Sequence, residues 1–455
     1  MSQLARTSSA WRTAAPPELL VFPGQPGWDE ARRAWNLSVD QRPAAVALPE
    51  TVDDVVAAVD HARAAGLRVA VQGTGHGAGS TPLDGTLLIN TARMIGVAVD
   101  AHARVARVAA GTVWRGVVDA AVDHGLTALH GSAGDVGVVG YSLGGGIGWL
   151  ARKHGLSSAG ILSADVVTAN GEVVRADPDT NPGLFWALRG GGGSFGVVTG
   201  IEIALHPVAE AFAGWLVWPA ARAVEVLARW AEWTTDAPEE VTSIGRLLQL
   251  PPIPEIPEPL RGRELVAVEA AFVGDEGEGR RLLRPLLELD PELDTFATVP
   301  ARDLLELHRD PPGPAPGRGE GWMLDAFDGN VARAVVDAVG MDGTSPLLSV
   351  EVRHLEGALG RPDPNGGALS HLDAPYAMYS LGIATGPETI GAIDERLAAL
   401  RSATEPWLSR RRYFNFAERD VDPVSFYANG DYGRLAAIRE EVDPHGLLQA
   451  KHTIV

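Results

Sequence analysis

The chain contains no cysteine among its 455 residues. Disulfide bonds, thiolate metal sites, cysteine nucleophiles and cofactors attached through a thiol are therefore excluded. Histidine and carboxylate residues form no cluster with metal-ligand spacing on a common face either, so we expect no metal site.

Basic residues are scarce relative to acidic ones. Lys and Arg total 38 against 58 Asp and Glu, which gives a formal net charge of −20 at pH 7. A field of this sign repels phosphate backbones rather than gathering them. We therefore expect no nucleic-acid partner.

Long apolar runs are also missing. The opening MSQLARTSSAWRTAAPPELLVF carries two arginines and no sustained hydrophobic stretch, unlike a signal peptide or a membrane span. We expect a cytoplasmic protein that does not associate with a membrane. Apolar residues still make up 45% and charged residues 21% of the chain, as in globular domains. The length predicts two or three packed units.

Hydrophobic periodicity predicts an ordered series of elements in the first 205 residues. Residues 43–72 have the pattern of a strand, an amphipathic helix and a second strand. A helix is predicted over 113–122, a short strand over 136–139, and a hairpin over 161–176 that turns at Asn170-Gly171. Tryptophan-rich and proline-dense segments begin near residue 206. We therefore predict a first domain over 1–205, a second over 206–405, and a segment 406–455 that returns to the first.

Glycine is concentrated in three loops. They are VAVQGTGHGAGS at 69–80 (loop one), GSAGDVGVVGYSLGGGIG at 131–148 (loop two) and RGGGGSFG at 189–196 (loop three). Glycine lets the backbone reach positive φ, and it lets N–H groups approach a ligand with no Cβ in the way. Phosphate is the usual ligand of such N–H groups, so three such loops in one domain favour a phosphate-containing ligand.

Two other interpretations of these loops were weighed. A nicotinamide-type fingerprint in loop one would need a helix directly after it and an acidic residue on the next strand; STPLDG and LLIN provide neither. In loop two, G-Y-S-L-G has the form of a hydrolase nucleophile elbow with Ser142 as the nucleophile. Its histidine would be His354, His371, His445 or His452. This interpretation leaves loops one and three without a role, and a serine hydrolase stays as an alternative.

Read together, the loops resemble those of the berberine bridge enzyme-like FAD-linked oxidases, within the vanillyl-alcohol oxidase (PCMH-type) superfamily. The resemblance extends through ARKHGLSSAGILSADVVTANGEVV, LFWALRGGGGSFGVVTGIEI, RYFNFAERD and YGRLAAIREEVDPHGLL, and covers nearly the whole chain. It implies an α+β fold with a two-part FAD-binding domain and a substrate domain whose antiparallel sheet is covered by helices.

The resemblance also implies cofactor contacts, in which His76 is bonded to the flavin 8α-methyl and loop two cradles the pyrophosphate. The residues implied to contact FAD are Gln72, Gly73, Thr74, Gly75, His76, Gly77, Ser80, Val136, Gly137, Gly140, Tyr141, Gly144, Gly145, Gly148, Val197, Tyr413 and Asn415.

The chain departs from the family pattern at two positions in loop two. Ala133 stands where many members carry a second, cysteinyl link, so only one tether is possible and the singly histidine-linked subgroup is implied. That subgroup includes 6-hydroxynicotine oxidase-like proteins and several tailoring oxidases of secondary metabolism. Tyr141 replaces a histidine that precedes the triple glycine in many members, so it is expected to face the flavin or the substrate.

Catalytic residues are implied by the same resemblance. Tyr413 of the Y-x-N motif is the expected base; its pKa would have to be lowered, and Arg411 or Arg412 could supply the charge that lowers it. Val136 occupies the position where valine is typical of oxidases and bulkier residues of dehydrogenases. Tyr141 is the third candidate.

Four more polar residues are expected near the substrate. Glu351, Arg353, His354 and His371 lie on or after strands that form the floor of the pocket in the family, and we expect structural rather than catalytic roles for them.

The sequence thus predicts an FAD-dependent oxidase. It would remove a hydride from an alcohol, C–H or C–N bond of a small organic or natural-product substrate, and dioxygen would reoxidise the flavin and give hydrogen peroxide. Multistep oxidation through oxygenated flavin and flavin binding without turnover are further alternatives. No oligomeric state is predicted.

Overall fold

The structure is a computed structural model that describes residues 18–79, 81–311, 313–428 and 430–455. Its strands form three sheets that follow one another along the chain. Helices α1 to α11 connect and cover them. The helices are α1 (Trp28–Ala31), α2 (Val52–Ala65), α3 (Trp114–Val122), α4 (Val138–Leu143), α5 (Ala151–His154), α6 (Pro182–Leu188), α7 (Ala223–Thr234), α8 (Glu276–Leu287), α9 (Gly329–Val339), α10 (Pro387–Thr404) and α11 (Asp431–Val442).

The first sheet contains the predicted strand-helix-strand unit. Its strands are β1 (Leu20–Val21), β2 (Ala45–Ala47), β3 (Arg68–Gln72) and β4 (Thr86–Asn90), in the order β1-β2-β4-β3, with β2, β4 and β3 parallel. Thr51 and Asp54 form a capping box at the start of α2, and Gly66 ends this helix at a φ of 66°. Loop one leaves the end of β3.

The second sheet is antiparallel and lies beside loops two and three. Its strands are β5 (Val97–Asp100), β6 (Val105–Ala109), β7 (Ile161–Val167), β8 (Val173–Ala176) and β9 (Val197–Ala204), in the order β5-β6-β9-β7-β8. The hairpin of β7 and β8 turns at Asn170-Gly171, as predicted, and Gly171 has a φ of 78°. Loop three runs directly into β9.

The third sheet is antiparallel and has eight strands. They are β10 (Glu210–Pro219), β11 (Val241–Gln249), β12 (Glu264–Phe272), β13 (Leu293–Asp294), β14 (Ala297–Pro300), β15 (Gly317–Leu324), β16 (Leu347–His354) and β17 (Tyr376–Ile383). The order is β13-β10-β12-β11-β16-β17-β15, and β14 also pairs with β10.

Helices α7 to α10 cover one face of this third sheet. The core between them includes the fully buried Trp218 and Trp230, and Val350 and Val352 of β16 point into it. Because side chains alternate along a strand, Ser349, Glu351 and Arg353 point to the opposite face. An antiparallel sheet covered by helices, within an α+β architecture, confirms the predicted fold class.

One predicted element is wrong. The valines of residues 136–139 favoured a strand, but Gly137 has extended backbone angles and caps α4, which begins at Val138. Only a single bridge, between Val113 and Gly137, remains of the expected pairing. Strand propensity is a weaker determinant of structure than tertiary context. Here the packing that buries α4 favours a helix over the expected strand. None of the helices in the described ranges has the length and hydropathy needed to cross a membrane.

The last segment is anchored to loop three by a buried arginine. Arg439 of α11 donates hydrogen bonds to the carbonyls of Ser194 and Leu448, and its guanidinium lies 2.8 Å from Asp443. Arg439 and Asp443 are both buried. The arginine therefore holds the chain end against a glycine loop of the first domain.

We predict that Arg439→Met lowers the free energy of unfolding by about 3–5 kcal/mol, because it leaves the Asp443 carboxylate buried without its partner. The exposed Arg434, in the same helix, is the matched control: Arg434→Met loses a stacking contact with Trp186 and is expected to cost about 1 kcal/mol or less. Urea unfolding followed by tryptophan fluorescence measures both, and equal losses would contradict the anchoring role.

Candidate active site

Loop one is fixed by a glycine that no other residue can replace. Gly75 has a φ of 84°, and a Cβ on it would lie 2.7 Å from the Cα of Ala34. This close approach lets the N–H of Trp35 donate to the carbonyl of Thr74 at 3.0 Å. The backbone of loop one is thus fixed to the segment that precedes β2.

Backbone N–H groups of loop one are left without partners. Those of Thr74, Gly75, His76 and Gly77 donate to no backbone carbonyl of the described residues. Ser80, which the sequence also assigns to the cofactor, lies outside the described residues. Successive free N–H groups of this kind form an anion site of the type that holds phosphate.

Loop two presents the start of α4 in a similar way. The N–H of Val138 donates to the carbonyl of Thr112, whereas those of Val139 and Gly140 donate to no backbone carbonyl of the described residues. The helix start also carries partial positive charge. Gly140 lies in this turn and is exposed, and a Cβ on Gly140 would meet nothing within 4 Å. The same is true of Gly77. Free donors beside glycines that face open space fit the pyrophosphate of a dinucleotide such as FAD.

His76 is enclosed by three side chains. The Thr74 hydroxyl lies 2.8 Å from Nδ1, and the indole of Trp35 stacks on the imidazole with ring centroids 4.1 Å apart. Asp135 places Oδ1 3.3 Å from Nε2, but not in line for a hydrogen bond, so Nε2 is buried without a hydrogen-bond partner. The other oxygen of Asp135 accepts a hydrogen bond of 2.7 Å from the Trp35 indole N–H.

Tyr413 and Asn415 dock onto the triple glycine of loop two. The buried Tyr413 hydroxyl accepts hydrogen bonds from the Gly146 N–H at 2.9 Å and from the Asn415 amide at 3.2 Å. The same amide donates to the carbonyl of Tyr141 at 3.0 Å. A Cβ on Gly144 would lie 1.9 Å from Oδ1 of Asn415, so glycine is required for this docking. Gly145 has a φ of 111° and lies beside the Tyr413 ring.

The pKa of Tyr413 is raised, not lowered. Burial is the main cause and outweighs the opposing effects of the two hydrogen-bond donors and of Arg353. The expectation that Arg411 or Arg412 lowers it is wrong, because both point elsewhere: Arg411 donates to the carbonyl of Phe426, and Arg412 pairs with Glu320.

Tyr141 is packed among loop residues. Its ring lies edge-on to Trp114, with centroids 5.5 Å apart, and fills the space above Gly131 and Gly146. Its hydroxyl is buried and has no hydrogen-bond partner among the described residues. An unpaired buried hydroxyl next to the Tyr413 site is a polar group available to a bound molecule.

The other predicted site residues occupy several environments. Val136 is partly buried beside the core of the second sheet, and its carbonyl accepts the N–H of Trp114. Gln72 is buried and donates to the carbonyl of Arg33. The side chain of Val197 is fully buried in the core under α2, away from the loop surface. The remaining glycines lie within loops one and two: Gly73, Gly137 and Gly148.

Ser142 does not have the geometry of a hydrolase nucleophile. It lies inside α4 rather than at a strand-to-helix turn, and its side chain is fully buried. Its hydroxyl is 3.0 Å from that of Ser157, and no histidine of the described residues contacts it. The hydrolase alternative is therefore wrong.

Behind the tyrosines, the third sheet presents a buried charged cluster that contains the predicted Glu351 and Arg353. It also contains His308, Glu269 and Arg246, which were not predicted. His308 lies between two carboxylates, with Nδ1 2.5 Å from Glu269 and Nε2 2.8 Å from Glu351. Arg246 is 3.0 Å from Glu269, and Arg353 donates to Glu351 at 2.8 Å. In the sequence, this cluster is indicated only by single charged residues within the otherwise apolar strands β11, β12 and β16.

Arg353 connects this cluster to Tyr413. Its guanidinium lies 5.1 Å from the centroid of Phe416, and the Phe416 ring packs edge-on against Tyr413 with centroids 4.9 Å apart. The remaining predicted pocket residues make local pairs: His354 with Glu356 at 2.7 Å, and His371 with Asp373 at 2.9 Å. Burial, followed by the charge of Arg152, lowers the pKa of His354 to about 4, so this imidazole is neutral near pH 7.

A cleft of about 560 Å³ lies next to loop one, between the first sheet and the third. It is lined by the end of loop one at Ala78 and Gly79, by Gly317 to Gly319 of β15, and by Glu418. Within the described ranges, no three His, Asp or Glu side chains are grouped so that they could hold a metal ion. The cleft is large enough for an organic ligand.

The three sheets, together with two loops of free N–H groups, define an FAD-binding protein. A family model described as an FAD binding domain matches residues 43–177. An uncharacterized FAD-linked oxidoreductase of Bacillus subtilis, YvdP, is 30% identical over 461 residues, which cover 96% of this chain and 97% of that protein. The chain belongs to this family of FAD-linked oxidoreductases.

Relatives with named activities match over shorter stretches. (R)-6-hydroxynicotine oxidase of Paenarthrobacter nicotinovorans is 35% identical over 201 residues, and glucooligosaccharide oxidase of Sarocladium strictum is 40% identical over 180 residues. These matches cover 44% and 39% of this chain, and 44% and 36% of those proteins.

Solved structures show the same fold over the whole chain. The berberine bridge enzyme-like protein 1 of Physcomitrella patens superposes with a TM-score of 0.82 at 22% identity, and the match covers 96% of each chain. The 6-hydroxy-D-nicotine oxidase of Arthrobacter nicotinovorans gives 0.83 at 24% identity and covers 96% of this chain and 97% of that one.

The buried His308 cluster predicts a pH dependence of stability. Burial and Arg246 oppose protonation of His308, but Glu269, Asp310 and Glu351 together raise its pKa from 6.5 to about 9. The folded protein therefore keeps a proton that the unfolded chain releases above pH 6.5. This contribution, up to about 3 kcal/mol, is complete below pH 6.5 and is lost as the pH rises through 9.

Urea unfolding at pH 6, 7.5 and 9 measures this dependence. His308→Gln is expected to flatten the decline, whereas the exposed His102→Gln leaves it unchanged. A decline of the same size in the His308 variant would show that other groups cause it.

Proposed function

We propose that the protein is an FAD-dependent oxidase that oxidises an alcohol, C–H or C–N bond of a small organic or natural-product substrate. Bound FAD supplies a hydride acceptor that dioxygen can reoxidise, with release of hydrogen peroxide. The observation that carries the proposal is the buried Tyr413 hydroxyl, held at the edge of loop two by Gly146 and Asn415. The named relatives, which oxidise hydroxynicotine and oligosaccharides, support it.

In this proposal Tyr413 first releases its own proton to solvent, and its Oη atom then takes up the proton that the substrate loses. The phenol holds its proton at neutral pH, because burial raises its pKa. Two N–H donors already meet this oxygen, so negative charge that develops on it during proton exchange is stabilised without reorganisation. Arg353, beyond Phe416, adds positive charge on the side of the third sheet.

His76 is proposed to hold FAD through a covalent bond to the 8α carbon. Support comes from its place in loop one, beside free N–H groups, and from Thr74, Trp35 and Asp135, which enclose the imidazole. A neutral imidazole nitrogen is a competent nucleophile. Ala133 provides no second attachment, so the tether is single. Residues 1–205 and 406–455 would hold FAD, and residues 206–405 the substrate.

Val136 is proposed to leave dioxygen access to the flavin. The side chain is partly buried in loop two, next to Gly137. The structural relative Phl p 4 is a glucose dehydrogenase in its wild-type form, and an isoleucine-to-valine variant of it is a glucose oxidase. In that protein, one valine is enough to change the class of activity.

The tether is tested by acid precipitation of the purified protein. We expect wild-type protein to keep its flavin in the pellet and to fluoresce on a denaturing gel, because the bond to His76 survives unfolding. His76→Ala should release all of it. A wild-type pellet without flavin, with the yellow colour entirely in the supernatant, would refute the bond.

Tyr413→Phe is expected to lower kcat by about 100-fold or more, since proton transfer by a placed side chain contributes on this order. The visible flavin spectrum should not change. Tyr432→Phe, which loses a hydroxyl that contacts the chain end, is the matched control and should retain full turnover. Wild-type turnover in the Tyr413 variant would remove this residue from the mechanism.

Val136→Leu is expected to slow flavin reoxidation by air roughly tenfold or more, equivalent to about 1.4 kcal/mol of barrier, because it narrows the path to the ring. Anaerobic reduction by substrate should be unaffected. Stopped-flow absorbance separates the two half-reactions, with Val173→Leu on the exposed face of β8 as the control. Unchanged reoxidation would mean that dioxygen enters elsewhere.

A further inference from the structure

The surroundings of His76 contain a side chain to which the proposed function gives no role. Asp135 lies in loop two, 59 residues along the chain from His76, and contacts both His76 and Trp35. It thereby connects loop one, loop two and the segment before β2. Its carboxyl is half-buried and is the acidic group that meets the imidazole.

The carboxylate is held in place by Trp35. The indole N–H donates to Oδ2 at 2.7 Å, which leaves Oδ1 directed toward Nε2 of His76 at 3.3 Å. Trp35 is itself fixed, because its backbone N–H donates to Thr74 and its ring stacks on the imidazole. The ring, the carboxylate and the indole therefore form one rigid unit.

Asp135 is charged at neutral pH. Burial alone would raise its pKa, but the neighbouring His76 and the Trp35 N–H outweigh burial and lower it. A carboxylate at this distance favours the imidazole form that carries its proton on Nε2, and so leaves the lone pair on Nδ1. The same charge stabilises positive charge that develops on the ring.

We propose that Asp135 is a positioning residue for the covalent attachment of FAD, acting through His76, and that Trp35 holds it in place. The inference rests on the proposed tether. Bond formation between Nδ1 of the imidazole and the 8α carbon removes one hydrogen from that carbon and the proton from Nε2, and the two electrons and two protons pass to dioxygen, which leaves as hydrogen peroxide. Positive charge on the imidazole during this step faces the Asp135 carboxylate, which takes up the departing proton.

Two substitutions at this position and one control elsewhere separate charge from shape. Asp135→Asn keeps the oxygen that accepts the Trp35 N–H and removes the charge, so we expect bound FAD but at least tenfold slower covalent attachment. Asp135→Glu restores the charge and should recover most of the rate. Asp165→Asn, which removes an ion pair with Arg107 in the second sheet, is the matched control and should attach FAD normally.

The measurement follows purified protein during incubation with excess FAD in air. Flavin fluorescence on denaturing gels reports the covalent fraction, and absorbance near 450 nm of the filtered native protein reports total bound FAD. If Asp135 had only a structural role, Asp135→Asn would lower total FAD binding together with covalent attachment. Asp135→Glu would then not restore the rate of attachment. If the asparagine variant does not fold, Trp35→Phe keeps the stacked ring but frees the carboxylate, and it should slow attachment as well.

The outcomes distinguish the two proposals. Slow attachment in Asp135→Asn, rescued in Asp135→Glu, supports the role of Asp135. Attachment at the wild-type rate in both Asp135→Asn and Trp35→Phe overturns it while leaving the tether intact. Absence of covalent flavin in the wild type would overturn the tether, and the role of Asp135 with it.

Discussion

The site depends on backbone N–H groups that the fold leaves unpaired at two glycine loops. In loop one they stay free because Gly75 adopts a positive φ and packs against Ala34, which holds the chain away from any sheet. In loop two they belong to the first turn of α4, whose start is set by Gly137. Leaving several donors unsatisfied costs stability unless a ligand pairs with them. An anionic dinucleotide provides that pairing, and the family of the chain agrees with it.

The proposed active site brings together buried polar groups from distant parts of the chain. Tyr413 and Asn415 belong to the C-terminal segment, which Arg439 anchors to loop three. Arg353, on the third sheet, lies on the other side of Phe416 from Tyr413. Buried charges such as those of the His308 cluster are expensive, and mutual pairing offsets the desolvation cost. The paired network gives the third sheet a polar face on the side opposite its covering helices.

Much of the fold could be predicted because its signals are local. The capping box of α2, the Asn170-Gly171 turn and the glycine that ends α2 each act within a few residues. The strand expected at 136–139 was wrong because tertiary packing buries Val138 and Val139 in a helix, and no local preference reports such packing. His308 was missed for a similar reason: it lies in a loop without periodicity, and its partners come from distant strands.

The candidate site residues were assigned through the family resemblance, and their geometry came only from the fold. The expectation for Arg411 and Arg412 assumed that neighbours in sequence are neighbours in space. In the structure these two arginines bond to Phe426 and Glu320 instead. The contact between Asp135 and His76 could likewise not be predicted, because it is formed only in the folded chain.

The most direct test compares the affinity of FAD with that of riboflavin for the His76→Ala protein, in which binding is reversible. Riboflavin has the same ring system but no pyrophosphate or adenosine. If the free N–H groups of loops one and two grip the pyrophosphate, FAD will bind at least a hundredfold more tightly, about 3 kcal/mol. Equal affinities would contradict the account, since the loops would then contribute nothing to cofactor binding.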